Sequence, residues 1–225
     1  MTAANKQIVE FETALLSQAP DYGVKLSAAV AQQLSVYYQL INTWNPRLHL
    51  VASCSPQEFA QRHILESLIL LEHLPQAASI ADIGSGAGLP IIPCLIAGAD
   101  LSAVLIESSQ RKAVFLREAL KAVARKDVAA VLAERFETVA TPAVQFITSR
   151  ALDRFVEILP RLIAWAPRPC TLLLFGGNEL EETLKRLDLS YSTTHIPKSE
   201  QRFLFAVAKD NRQGAKPQRR EEKTE

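Results

Sequence analysis

Nine residues constrain this chain more than any others: Asp82-Ile83-Gly84-Ser85-Gly86-Ala87-Gly88-Leu89-Pro90. They follow a short apolar run, Ser79-Ile80-Ala81-Asp82-Ile83, which reads as a buried strand, and they precede an apolar segment predicted to be a helix from Pro90 to Ala97. Glycines at alternate positions between a strand and a helix let the backbone turn sharply and come close to a ligand. A second buried strand, Ser102-Ala103-Val104-Leu105-Ile106-Glu107, then places the acid Glu107 at its carboxyl end, 25 residues after Asp82. A carboxylate at that position can accept both hydroxyls of an adenosine ribose. The competing reading is a tight turn followed by a solvated acid; the strand–turn–helix context argues against it.

The glycine spacing and the charge narrow the choice of adenosine ligand. A dinucleotide site needs its third glycine three residues after the second, with a helix N-terminus aimed at a pyrophosphate. Here the third glycine follows after two, and Asp82 precedes the first, a carboxylate expected to repel phosphate. The cationic amino-acid end of S-adenosylmethionine suits such a site, so methyl transfer is the expected chemistry. No Gly-Lys-Ser/Thr phosphate loop occurs.

The rest of the chain supports an α/β fold. Ile8, Phe11, Leu15 and Ala19 recur at helical spacing until Pro20-Asp21-Tyr22-Gly23 breaks the run. A second helix is predicted from Ser27, with Leu34, Tyr37, Ile41 and Trp44 buried, ending before Asn45-Pro46. A third is predicted from Ser55-Pro56, with Phe59, His63, Ser67 and Leu71 on one side and two basic groups, Arg62 and His63, at its centre. Beyond Ala78 the period shortens. An amphipathic helix is expected from Gln110 to Arg125, and further strands over Val128–Leu132, Val144–Thr148, Thr171–Phe175, Tyr191–Ile196 and Phe203–Ala208. Helices over Asp153–Ala164 and Leu180–Leu187 separate them. Strands alternating with helices imply a mainly parallel sheet, and the last two strands are too close together for anything but an antiparallel pair. The expected organisation is a helical cap over residues 1–75, a ligand-binding α/β domain over 76–209 and a charged tail over 210–225 without large apolar residues.

Composition excludes several classes. Lys and Arg number 25 against 24 Asp and Glu, so a polyanion would have to be met by a local patch. Arg111, Lys112, Arg117, Lys121 and Arg125 make such a patch on one helix, and Arg212, Lys216, Arg219 and Arg220 add charge in the tail. Cys54, Cys94 and Cys170 are scattered among apolar neighbours, as reduced core thiols are, and neither they nor the four histidines show metal-ligand spacing. No stretch reaches the roughly 18 apolar residues of a membrane span. A cytoplasmic protein acting as a monomer is the expectation.

Several segments, taken in order, resemble one family. They are Arg62-His63-Ile64-Leu65-Glu66-Ser67-Leu68, the glycine turn continued by Leu89-Pro90-Ile91-Ile92-Pro93, Arg111-Lys112-x-x-Phe115-Leu116, and Thr148-Ser149-Arg150-Ala151. Together they look like the bacterial small-subunit ribosomal RNA methyltransferase G family. The resemblance implies a Rossmann-like class I methyltransferase fold, with a seven-stranded sheet behind an N-terminal helical cap. It implies S-adenosyl-L-methionine as cofactor and, as activity, methylation of guanosine N7 in 16S ribosomal RNA or the small ribosomal subunit. By position it puts Gly84, Leu89, Glu107, Phe136 and Glu137 at the cofactor, and Arg150 between its methionine end and the substrate. Asp82, Gly86 and Gly88 join the cofactor set as parts of the same turn. Arg62 and His63 become substrate-positioning candidates, and Arg111, Lys112, Arg117 and Lys121 RNA contacts. This chain departs from the family pattern at His49-Leu50-Val51, Ile91, Glu66 and Phe175. The departures at His49, Val51 and Phe175 keep open a catalytically weak RNA- or nucleotide-binding module; a third reading, a small-molecule methyltransferase, is disfavoured by the basic helix and tail.

Overall fold

The computed structural model describes residues 2–98, 100–150 and 155–210. Residues 211–225 of the charged tail, Ala151 of the fourth quoted motif and Asp153, where a helix is expected to start, lie outside the described residues. Seven strands form one sheet: β1 (Ser79–Ile83), β2 (Ser102–Ile106), β3 (Ala129–Leu132), β4 (Phe146–Arg150), β5 (Cys170–Gly176), β6 (Tyr191–His195) and β7 (Phe203–Lys209). Their spatial order is β3-β2-β1-β4-β5-β7-β6. The first five are parallel, and β7 runs antiparallel between β5 and β6. The expected terminal hairpin is therefore present, inserted so that its second strand meets the sheet. Leu204, Phe205 and Val207 of β7 are nearly or fully buried, whereas Ser192 and Thr193 of β6 are exposed, which fits β6 to the edge.

Side chains alternate across the sheet. Ile80, Leu105 and Leu173 point into one apolar cluster with α5 (Ile91–Ala97) and α6 (Gln110–Ala122). Ile83, Ile106, Leu172 and Leu174 point into a second, under α7 (Phe155–Trp165) and α8 (Asn178–Arg186). The amino-terminal helices add a further layer on the first side. These are α1 (Ala3–Gln18), α2 (Ala28–Leu48), α3 (Pro56–Phe59) and α4 (Glu66–Leu68). α2 packs on α5 and α6, and α4 packs on α5.

Three helix ends differ from the sequence reading. α2 runs through Pro46 to Leu48 instead of stopping before Asn45. The Asn45 side chain braces this last turn, its amide donating to the Val51 carbonyl and its oxygen accepting from the Val51 N–H, both at 3.0 Å. α6 stops at Ala122, because Ala124 adopts φ 54° and the Arg125 N–H returns to the Leu120 carbonyl at 2.8 Å. The third predicted helix begins at Ser55 as expected, but Ala60–Leu65 forms a π-turn between α3 and α4, and Ile69–His73 tightens into a 3-10 turn. The π-turn carries Arg62 and His63, and inserted turns of this kind recur at functional sites.

Candidate methyl-transfer site

The glycine turn takes the backbone that its sequence requires. Gly84, Gly86 and Gly88 have φ of 69°, 53° and 84°, a region that side-chain-bearing residues rarely occupy. Gly88 has a second reason to lack a side chain: a Cβ there would run into Ile92 and Leu116. It sets how closely α5 and α6 pack behind the turn. The turn is held from three directions. The Gly84 N–H donates to the Ile106 carbonyl at 2.9 Å, the Gly86 N–H to Glu107 Oε2 at 2.8 Å, and the Ala87 carbonyl accepts from the Tyr37 hydroxyl at 2.5 Å.

Above the carboxyl ends of the parallel strands, where this class of sheet binds ligands, lies a cavity of about 620 Å³. Gly84, Gly86, Leu89 and Glu107 form its floor and near wall, Lys112 and Arg150 the sides, and Leu50, Val51 and His63 the cap side. A smaller cavity of about 190 Å³ adjoins it through Gly84, Ser108 and Ile158, and is closed by Ile83, Ile106, Phe136 and Glu137. Phe136 is buried and meets the edge of Trp165, with ring centroids 5.5 Å apart. Glu137 is held by Arg161 at 3.1 Å and Arg135 at 3.7 Å.

Glu107 is 7% exposed, and its other oxygen, Oε1, accepts the Ser109 N–H at 2.7 Å. Each carboxylate oxygen thus has one backbone donor and spare lone-pair capacity toward the cavity. Asp82 is fully buried, lines neither cavity, and neither of its side-chain oxygens has a hydrogen-bond partner. Burial pushes its carboxyl up to about 8; the neighbouring Ser85 hydroxyl offsets part of that rise and the nearby Glu107 carboxylate adds to it. At neutral pH Asp82 is therefore mostly protonated. A mostly protonated Asp82 does not repel phosphate in the way the sequence reading expects.

His63 also differs from the sequence reading. Burial, reinforced by Arg150 and Arg62, lowers its imidazolium to about 4, so the ring is neutral at physiological pH. It stacks obliquely on Phe59 at 4.9 Å and offers one donor and one acceptor, with no charge. Arg62 turns its guanidinium away to Glu58, at 2.7 Å, and its side chain is half exposed. Arg150, at the end of β4, is tied into the cap: Nη1 donates to Ser67 Oγ at 3.1 Å, and Nη2 donates to the Arg62 carbonyl at 2.6 Å and to Glu66 Oε2 at 3.2 Å. Two hydroxyls fix the strand behind it, Thr148 donating to the Leu173 carbonyl and Ser149 to the Ile83 carbonyl, both at 2.9 Å.

The structure thus gathers Gly84, Gly86, Leu89, Glu107, Phe136, Glu137, His63, Arg150 and Lys112 around one crevice. Arg62, Asp82, Gly88, Arg111, Arg117 and Lys121 do not line it. Arg111, Arg117 and Lys121 lie exposed on α6, with Arg117 donating to the Val131 carbonyl at 3.1 Å. Sequence reasoning missed Ile158, Ser109 and the hydroxyl of Tyr37. Ser109 had a legible signal, a serine immediately before the α6 register, where it caps the helix by accepting the Lys112 N–H. Tyr37 had none beyond its place in a buried stripe, because its partner lies 50 residues away. Cys94 and Cys170 are buried free thiols, and burial raises both above the usual range. Among the described residues no group of His, Cys, Asp and Glu could hold a metal, and no helix is long and apolar enough to cross a membrane.

The strand order and the crevice define a class I S-adenosylmethionine-dependent methyltransferase fold. The chain is similar to a SAM-dependent methyltransferase from Aquifex aeolicus, with TM-score 0.52 and 14% identity over 76% of this chain and 97% of that one. It is likewise similar to the O-methyltransferase from Bacillus cereus in complex with SAH, with TM-score 0.51 and 16% identity over 78% and 91%. The family model for rRNA small subunit methyltransferase G matches residues 30–211, and the chain belongs to that family. Its relatives include proteins named ribosomal RNA small subunit methyltransferase G from three bacteria. That of Sorangium cellulosum is 36% identical over 72% of this chain and 70% of the relative. Those of Gluconobacter oxydans and Nitrosomonas eutropha are 39% and 33% identical over 76% of this chain, covering 86% and 82% of the relatives.

Proposed function

We propose that the protein transfers a methyl group from S-adenosylmethionine to N7 of a guanosine in 16S ribosomal RNA. The observation that carries this reading is the crevice itself, with an engaged but unsaturated Glu107 carboxylate at one end and a pinned arginine beside a neutral imidazole at the other. The residues present fit the cofactor. Glu107 can accept the two ribose hydroxyls, and the apolar slot between Ile83, Ile106, Phe136 and Ile158 suits an adenine ring. Gly84 and Gly86 let the backbone approach the methionine portion. When bound, S-adenosylmethionine supplies a methyl group activated by its sulfonium.

The remaining work is alignment. Guanine N7 attacks with a lone pair that carries no proton, so no general base is needed, and holding nucleophile and methyl in line accounts for the rate. A neutral His63 suits that role, since it can donate to, or accept from, a purine edge without adding a charge that must be desolvated. Arg150 has two N–H groups left after its three bonds to the cap, and these can orient a carbonyl oxygen or a carboxylate. Leu50 and Val51 line the cap side of the crevice with apolar surface, and a bound substrate that displaces water there would strengthen both contacts. Arg111, Arg117 and Lys121, with Lys112 at the rim, supply local cations for phosphates on a chain of near-zero net charge.

Binding and transfer together test this reading. Radiolabelled methyl should be incorporated into 30S subunits or naked 16S RNA and recovered as 7-methylguanosine after digestion. Glu107→Ala should weaken cofactor binding by about 1.5–3 kcal/mol, the range for hydrogen bonds to a charged acceptor, or roughly 10- to 150-fold in Kd by calorimetric titration. Unchanged affinity would remove the ribose role. Tight cofactor binding with no transfer to either RNA would favour the weak-module alternative.

A further inference from the structure

Glu66 is 2% exposed and faces two arginines from different parts of the chain. One is Arg150, which lines the cavity. The other is Arg202, just before β7, whose Nη1 lies 2.8 Å from Glu66 Oε1 and 3.0 Å from Oε2. Arg202 does not line the cavity. Burial raises the Glu66 carboxyl above its ordinary value, while Arg150, Arg202 and Arg62 pull it back down. Arg62 is paired with Glu58; the remaining groups, the Glu66 carboxylate and the guanidinium groups of Arg150 and the partly exposed Arg202, sum to one positive charge.

That arithmetic sets what Arg150 can do. With Glu66 alone, Arg150 would sit in a neutral pair and present little charge to a ligand. With Arg202 donating to Oε2 and lying 2.8 Å from Oε1, the cluster keeps a positive charge, and Arg150 is its member that lines the cavity. Geometry adds to this. Ser67, the Arg62 carbonyl and Glu66 occupy three of the five guanidinium N–H groups, and the Phe175 ring, 5.7 Å from Cζ, covers one face. The plane and the free edge of Arg150 are therefore both fixed.

We infer that Glu66 and Arg202 are positioning residues for methyl transfer: Glu66 aims the Arg150 guanidinium, and Arg202 keeps it from being neutralised. The inference rests on the reading that Arg150 contacts the substrate or the methionine end of the cofactor. Neither Glu66 nor Arg202 is itself a catalytic residue.

Two measurements on the full chain test it. In nitrogen-detected NMR of arginine side chains, a clamped Arg150 gives separate, slowly rotating Nη signals, assigned by their loss in Arg150→Ala. Those signals should merge in Glu66→Gln and stay separate in Arg202→Ala, because Arg202 makes none of the bonds that hold Arg150. Persistence of separate signals in Glu66→Gln would overturn the clamp. The second measurement is kcat for transfer at saturating cofactor and RNA. Glu66→Gln and Arg202→Ala should each lower kcat roughly 10-fold with KM nearly unchanged, and in an Arg150→Ala background neither should cost more than about twofold, as contacting residues couple rather than add. Arg202→Lys should recover most of the loss. Losses of equal size in both backgrounds would mean that the cluster only holds the fold, and would overturn the positioning role. A wild-type protein that transfers no methyl would instead refute the function proposed above, while the NMR signals would still decide whether Glu66 clamps Arg150.

Discussion

Asp82 shows how far a single residue can be read from sequence. Its place before the glycine turn was legible, but its charge was not, because charge depends on burial within the folded sheet and on Glu107, which the fold brings near it. A buried acid whose pKa is raised to about 8 keeps its proton at pH values where the unfolded chain, with an ordinary value of about 3.9, has released it. Its contribution to stability is thus fully present below about pH 4 and is lost as pH climbs toward 8. The cofactor-free protein should therefore lose thermal stability across pH 5–8, and Asp82→Asn should flatten that slope. Melting curves at several pH values measure it, and equal slopes for both proteins would mean that Asp82 is already ionised in the fold. His63 was misjudged for the same reason, since the arginines that help to keep it neutral come from β4 and from its own helix. Glu107 was legible because its role follows from position alone: a strand end, one strand over from the turn.

At the scale of elements, periodicity located every strand and every long helix among the described residues, with β4 two residues later than the expected Val144–Thr148, while helix ends depended on contacts that no local window contains. α2 continues past Pro46 because Asn45 reaches Val51, and β7 takes the inner place because its side chains fit the core and those of β6 do not. The link between α2 and the glycine turn is of this non-local kind. Tyr37 is completely buried, and its hydroxyl holds the Ala87 carbonyl. In Tyr37→Phe that buried carbonyl loses its side-chain donor, a change worth about 1–3 kcal/mol. The loss falls on the turn and not on α2, whose apolar packing a phenylalanine preserves. The expected result is a lower melting temperature together with weaker S-adenosylmethionine binding, while the circular dichroism spectrum stays unchanged. Unaltered affinity in a destabilised variant would show that the turn holds its shape without the cap.

For the whole molecule, the sequence suggested a boundary near residue 75, where the hydrophobic period changes from helix to strand. The packed core crosses that line. One apolar cluster joins Phe11, Leu34, Tyr37 and Ile64 from the helical layer to Ile80, Ile92, Phe115, Leu173 and Leu204 from the sheet and its helices. The crevice depends on the same union, since Leu50, Val51 and His63 come from one side of the line and Glu107 and Arg150 from the other. Helices that bury their apolar faces on another layer have little independent stability, so cap and sheet should unfold in a single step. The two tryptophans report on opposite sides of the sheet: Trp44 lies against Phe115 and Trp165 against Phe136. Single-tryptophan variants, Trp165→Phe and Trp44→Phe, allow fluorescence to follow each side separately in urea. Both should give one transition, each with the midpoint that circular dichroism gives for the same variant. Leu34→Ala, a truncation at a fully buried cap position, should cost about 2–5 kcal/mol and move both signals together. If the Trp44 signal moved alone while the Trp165 transition stayed in place, the helical layer would be a separate folding unit, and the crevice would be an interface between two units instead of a cleft within one.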